Sequence, residues 1–152
     1  MMKRTASATI PKNAVGVWYL PSLPMFVPLY SPKKGVKGAQ DIVDDKYSAA
    51  YMNWGIGHLI ADHVNSKHGA RKWKVNEWKL NDKAFLFLPN DIRRYVLTGL
   101  LRVKVEGSKY THEGLSVFPR QSADILCVCC VEEGPKENYL AYFRFDGIEE
   151  EE

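Results

Sequence analysis

From Asp41 to Lys67 the apolar residues recur every three or four positions, which is the spacing of a helix rather than a strand. One stripe runs through Val43, Tyr47, Ala50, Trp54, Gly57, Ala61 and Val64, and a second through Ile42, Ala49, Met52, Ile56, Leu59 and Ile60. Asp41, Asp44 and Asp45 suit the positive end of a helix dipole, and Lys67 and His68 suit its negative end. Gly69 then supplies a left-handed stop. The pattern predicts a long helix over about 41–67 that is apolar on two sides. Such a helix lies at the centre of a domain or is shared with a second chain, so a homodimer through 41–67 is the alternative to a central helix wrapped by sheet. Gly55 and Gly57 would each cost about 1 kcal/mol against Ala inside it, a loss that close backbone packing could offset.

Elsewhere the period shortens to two. Val15 to Leu20 is rich in β-formers and predicts a first strand. From Pro21 to Pro32 the prolines recur too often for a central strand, and an extended segment along a sheet edge is expected. Arg71 to Leu80 and Lys83 to Leu88 read as strands around an Asn81-Asp82 turn. Asn90 is placed to cap a second helix over about 91–101, with Ile92, Tyr95, Val96 and Leu100 on its inner side. Leu101, Val103 and Val105 alternate with charged residues, and a partner strand starts near Lys109 after Gly107-Ser108. Asp124 to Glu132 and Asn138 to Phe145 form a hairpin around Gly134-Pro135. The expectation is one α+β domain over residues 1–152: a mainly antiparallel sheet, a long apolar helix, a shorter helix, a loose basic arm (1–13) and an acidic tail (147–152).

The chain of 152 residues is 45% hydrophobic and 26% charged, a balance that excludes a disordered or collagen-like polymer. Charge is unevenly spread. The last 22 residues hold eight acids against Lys136 and Arg144, which leaves the first 130 at +9. A basic body with an acidic tail suits a polyanionic partner, or a tail that shields a basic surface. The three cysteines crowd into Ile-Leu-Cys-Val-Cys-Cys-Val (125–131), unlike a spaced disulfide framework. In a strand Cys127 and Cys129 share a face and Cys130 takes the other. Buried reduced thiols fit a cytoplasmic or otherwise intracellular protein. Pro11, Lys12 and Asn13 interrupt any secretory leader, and prolines break the longest apolar stretch, so no membrane partner is expected.

The charge pattern directs the first functional expectation to nucleic acid. Lys72, Lys74 and Lys79 interleave with Trp73 and Trp78; cations attract phosphates, and an exposed indole can stack on an unpaired base. Amphipathic strands also place large aromatics inside and lysines outside, and Trp73 and Trp78 would face opposite sides. Arg93 and Arg94 on the second helix, with Lys104 and Lys109 on the strands that follow, would add phosphate contacts. The run Leu-Thr-Gly-Leu-Leu-Arg-Val-Lys-Val-Glu-Gly-Ser-Lys-Tyr-Thr (97–111) resembles the helix-and-wing stretch of winged-helix regulators over about twenty residues. That resemblance implies a helix entering the major groove and a turn near Ser108 and Lys109 approaching phosphates. The segment before it, Lys-Ala-Phe-Leu-Phe-Leu, is a strand where that family has a helix.

Other chemistries find less support. A protein-binding adaptor or inhibitor could use Trp18, Tyr19, Phe26 and Tyr30, or the acidic tail. Glu77 and Lys79 share a strand face, as a metal-dependent hydrolase would need, but no acid stands on the preceding segment. His58 and Asp62, or His63 and His68, could begin a metal site but lack further ligands. The cysteines have Ile125, Leu126, Val128 and Val131 for neighbours, an apolar setting that does not favour a reactive thiolate. No glycine-rich phosphate loop, catalytic set, metal site or cofactor site assembles, and a non-enzymatic nucleic-acid binder is the reading that composition and spacing favour.

Overall fold

The computed structural model describes residues 10–23, 25–32, 42, 48–54, 57–65, 77–106, 109–113, 115–117, 123–131 and 137–149. The elements are ten strands: β1 (Gly16–Leu20), β2 (Met25–Tyr30), β3 (Ala49–Trp54), β4 (Gly57–Asn65), β5 (Lys83–Phe87), β6 (Ile92–Glu106), β7 (Lys109–His112), β8 (Leu115–Val117), β9 (Ile125–Val131) and β10 (Glu137–Ile148). They form one sheet in the order β10-β9-β4-β3-β2-β1-β5-β6-β7-β8, and β10 also pairs with β6. That last pairing closes eight strands into a barrel and leaves the β7–β8 hairpin as an extension from the far half of β6. Closure satisfies the backbone groups that an edge would expose. Two of the pairings, β2–β3 and β4–β9, are parallel.

Alternation decides which residues fill the barrel. Trp18, Leu20, Val27, Leu29, Tyr51, Ile60, Leu86, Tyr95, Leu97, Cys127, Cys129 and Phe143 pack into one interior cluster. Trp18 is fully buried at its centre, edge-on to Phe143 with ring centroids 5.0 Å apart. The outer surface is apolar in places too. Val103, Leu126, Val128 and Leu140 form a second buried layer on the outside of β6, β9 and β10, with Leu59, Leu101, Tyr110 and Tyr142 against it.

The α+β expectation is overturned, because both predicted helices are strands. Within 41–67 only Ile42 among the described residues keeps a helical backbone, and 49–54 and 57–65 are β3 and β4, antiparallel with Trp54 opposite Gly57. These strands are covered on both faces, inside by the barrel core and outside by the cluster of Ile42, Ala50, Met52 and Ala61. Strands buried on both faces are apolar nearly throughout, and a helical stripe can be drawn through such a run. The helix through which a homodimer was considered is therefore not formed. The second predicted helix, over 91–101, is the first part of β6, a strand of 15 residues. The bulge in its pairing with β10 between Tyr142 and Phe143, where Thr98 is the extra residue on β6, breaks the alternation that would have marked it as a strand. The proline-rich edge segment is β2, which lies between β1 and β3. Pro28 is tolerated because the ladder to β3 includes only Leu29 and Tyr30. Strands over Val15 to Leu20 and Lys83 to Leu88, and the β9–β10 hairpin, form as expected. Among the described residues no helix is long and apolar enough to cross a membrane.

Candidate active site

β9 is the strand on which the thiols lie, and its two neighbours determine what they can do. On one side it pairs in parallel with β4, and on the other it is antiparallel to β10. Cys127 and Cys129 are on its inner side, buried in the barrel core. Burial pushes the Cys127 thiol well above its ordinary range, so it stays protonated and inert. Position 130 has the opposite parity, that of Leu126 and Val128 in the outer apolar layer.

The register partner of Cys130 on β4 is His63, and its partner on β10 is Asn138. Three adjacent strands therefore carry positions 63, 130 and 138 in one register row. With strands about 4.8 Å apart, the row is about 10 Å wide. Beside it along the strands run equally matched rows of apolar residues, Ala61–Val128–Leu140 and Leu59–Leu126–Tyr142. Asn138 itself is only 7% exposed and donates through Nδ2 to the Tyr110 hydroxyl at 3.0 Å. A cysteine with a histidine on the adjacent strand is the composition of a nucleophile and its base.

The sequence pattern already sets Cys130 on the other strand face from Cys127 and Cys129, but it offers His63 only as the start of a metal site with His68 and does not connect the two residues. The signal that separates Cys130 is its parity along β9, opposite to that of Cys127 and Cys129. Among the described residues no cluster of three or more histidines, cysteines or acids could hold a metal. His58 is stacked on Tyr51 with ring centroids 4.8 Å apart.

The residues expected to contact nucleic acid are placed as follows among the described residues. Lys72, Trp73 and Lys74 lie outside the described residues. Trp78 is a core residue, 5% exposed and edge-on to Phe143, so it offers no stacking surface. Lys79 is exposed next to a turn that its own backbone N–H closes by donating to Asp82. Arg93 sits 3.6 Å from Asp91. Arg94 is held by Asp146 and Glu149, and it also donates to the Asp146 carbonyl. Lys104 and Lys109 are exposed on β6 and β7, with Lys104 in register with Glu137. The neighbouring Arg102 is engaged by Glu137 through both carboxylate oxygens. The winged-helix stretch is the β6–β7 hairpin, without a recognition helix. Of the adaptor residues, Trp18 is inside the barrel, while Phe26 is exposed and stacked on Tyr19. Glu77 has a 3₁₀ backbone and Lys79 lies outside any strand, so Glu77 and Lys79 do not share a strand face.

No family model and no curated protein matches the sequence. Solved structures do match along most of its length. Sortase C of Streptococcus pneumoniae superposes with a TM-score of 0.63 at 13% identity, covering 90% of this chain and 70% of that one. Sortase E1 of Streptomyces coelicolor, solved with a tripeptide in its active site, gives 0.63 at 14% identity and 90% coverage of both chains. A Clostridium perfringens sortase D5 transpeptidase gives 0.60 at 12% identity, covering 95% of this chain and 87% of that one. This likeness overturns the α+β frame and the reading as a non-enzymatic nucleic-acid binder, and the adaptor reading gains nothing from it. At these identities what is shared is architecture: the chain is built on the sortase barrel.

Proposed function

We propose that this protein is a thiol-dependent acyl-transfer enzyme acting on peptides, with Cys130 as nucleophile and His63 as its base. The observation that carries the reading is the register pairing of His63 with Cys130 on adjacent parallel strands. The fold it shares with sortase transpeptidases, one of them solved with a tripeptide in its active site, supports the peptide substrate class.

The chemistry needs the thiolate, because the neutral thiol is a poor nucleophile. His63 accepts the Cys130 proton, and the thiolate attacks the acyl carbonyl carbon to form a C–S bond, with the carbonyl π pair moving onto oxygen. Collapse of that intermediate restores the carbonyl and breaks the C–N bond. The His63 imidazolium protonates the departing amine, leaving an acyl thioester on Cys130. A second amine, or water, then attacks the thioester and releases the thiol. The apolar row beside it, with Val128 and Leu140 nearly inaccessible, limits water at the thioester and favours an amine acceptor that brings its own binding contacts.

The test is mapping of alkylation by iodoacetamide combined with peptide cleavage and transfer assays. Cys130 is expected to alkylate far faster than Cys127 or Cys129. Cys130→Ala should abolish transfer, and His63→Ala should lower it about 10²–10⁴-fold, the usual contribution of a general base. Transfer that persists in Cys130→Ala would remove the assignment.

A further inference from the structure

His58 and Arg93 stand on β4 and β6, which β9 and β10 separate in the closed sheet, yet both belong to one mouth of the barrel. Tyr51, Ile60 and Tyr95 are interior residues. His58 is two residues before Ile60, and Arg93 two before Tyr95, so both share the inner parity. The His58 ring lies flat on Tyr51, 7° from parallel with centroids 4.8 Å apart, and Phe145 on β10 stands edge-on to Tyr95 at 5.6 Å. His58 is in register with Ile125, five residues before the pairing of positions 63 and 130. This mouth is therefore roughly 16 Å from that row, at the other end of the two strands.

Arg93 is a loosely held cation. Its Nε is 3.6 Å from Asp91 Oδ1, beyond hydrogen-bond reach, and both atoms are buried without a hydrogen-bond partner. The Arg93 side chain as a whole is 41% exposed. Its charge is felt across the bore. Burial lowers the His58 pKa and Arg93 lowers it further, so the ring is neutral at neutral pH. Burial and Tyr95 raise the Tyr51 pKa, and Arg93 opposes the rise. Burial also raises that of Tyr95, with Asp124 and Asp91 adding to it, which puts these two acids on the β6 side of the bore. Between Arg93 and the Tyr51–His58 stack the field thus favours an anion. A guanidinium matches a carboxylate through two parallel N–H bonds. The rim is apolar: Phe145 and Ile148, the latter in register with Arg93, are 44% and 48% exposed.

We propose that this mouth is a second binding site, for a monocarboxylate with an apolar body, whose charge Arg93 takes and whose body Phe145 and Ile148 cover. The site does not depend on the Cys130–His63 reading. Tyr51 and His58 face the carboxylate from the opposite wall. A bound carboxylate counters the Arg93 charge at His58, so the imidazole gains a proton more readily in the complex. By linkage the complex then tightens as pH falls.

Hydrocinnamate is the probe, titrated into the wild-type protein while the His58 ring protons, assigned with His58→Phe, are followed by NMR. Hydrocinnamamide keeps the body without the charge, and acetate the charge without the body. Hydrocinnamate should bind saturably and at least about tenfold more tightly than either, and about tenfold more tightly in mild acid than in mild alkali, the equivalent of one pK unit. Arg93→Met keeps the aliphatic stem and should weaken binding at least about tenfold, the loss of a charge-assisted pair. His58→Phe should keep binding in mild alkali and lose its pH dependence. N-acetylphenylalanine distinguishes the sources of such a carboxylate: tighter binding than hydrocinnamate assigns the site to a peptide C-terminus, weaker binding to a free acid. Equal binding of the acid and its amide, or acid binding unchanged in Arg93→Met, would overturn the site. The comparison of acid with amide uses the wild-type protein and decides the matter if Arg93→Met does not fold.

Discussion

His58 and His63 stand five residues apart, and in a strand that odd spacing puts them on opposite faces. Position 58 shares the parity of Ile60, inside the barrel, and its ring lies flat on Tyr51. Loss of solvent lowers the His58 pKa from its ordinary 6.5, with the Arg93 charge adding to the effect. The native state therefore binds this proton less readily than the unfolded chain does. Its stabilising contribution is complete above 6.5 and is lost as pH falls below that value toward the native pKa. His58→Phe keeps a flat ring for Tyr51 and removes the titration, so its urea midpoint should fall less than the wild type's between neutral pH and mild acid. Equal falls would mean that His58 is solvated. Tyr51 behaves in the opposite sense at the alkaline end. Burial, and then Tyr95, push its pKa from 10.0 up to about 12, so the folded state retains a proton that the unfolded chain has lost. Stability should decline as pH rises from 10 toward 12, and Tyr51→Phe should blunt that decline.

At the scale of elements, strands whose apolar residues alternate with polar ones were legible, and strands buried on both sides were not. β1, β5 and the β9–β10 hairpin could be read from β-branched and aromatic runs bounded by turns. The sequence over 49–65 satisfies helical spacing because ten of its seventeen positions are apolar, on both sides of the strands. The clue against a helix was local: Gly57, awkward inside a helix, opens β4. The candidate site was half legible. The parity of Cys130 is a property of its own strand, but its neighbours are set by the parallel β4–β9 pairing, between segments separated by some sixty residues of chain. Gly57 now has a different task. A Cβ there would meet the Asp124 carbonyl oxygen at 2.5 Å, at the point where the His58 N–H donates to that same oxygen. Gly57→Ala must push β4 away from the start of β9, at a cost of about 1–3 kcal/mol. Because His63 and Cys130 lie further along the same strand pair, acyl transfer should fall as well. Gly99→Ala is the control: its nearest neighbour is the Tyr142 side chain at 3.3 Å, which can shift, so its urea midpoint should change much less.

For the whole molecule, barrel closure depends on pairings distant in sequence, β1 with β5, β4 with β9 and β6 with β10. Each requires a long loop to close before its contacts contribute, so refolding should be slow for the chain's size, on the millisecond-to-second scale of non-local β proteins. Trp18, fully buried at the barrel's centre, is a fluorescence probe of that event. Arg94 on β6 tests how the barrel finishes. It reaches Asp146, the extra residue of the second bulge, and Glu149 just past the end of β10, with Gly147 between them at a φ of 120°. This accounts for an arginine that composition assigned to phosphates: its charge is spent on the acidic C-terminal segment, and those two acids hold its own pKa above the ordinary value. A clamp at the end of the closing strand can form only after β10 has paired along β6, and thus after the transition state. Arg94→Met should raise the unfolding rate a few-fold and leave the refolding rate unchanged, as for interactions absent from the folding nucleus. If refolding slowed instead, the Arg94–Asp146–Glu149 contact would belong to the nucleus, and closure would begin at the end of the barrel where it is here expected to end.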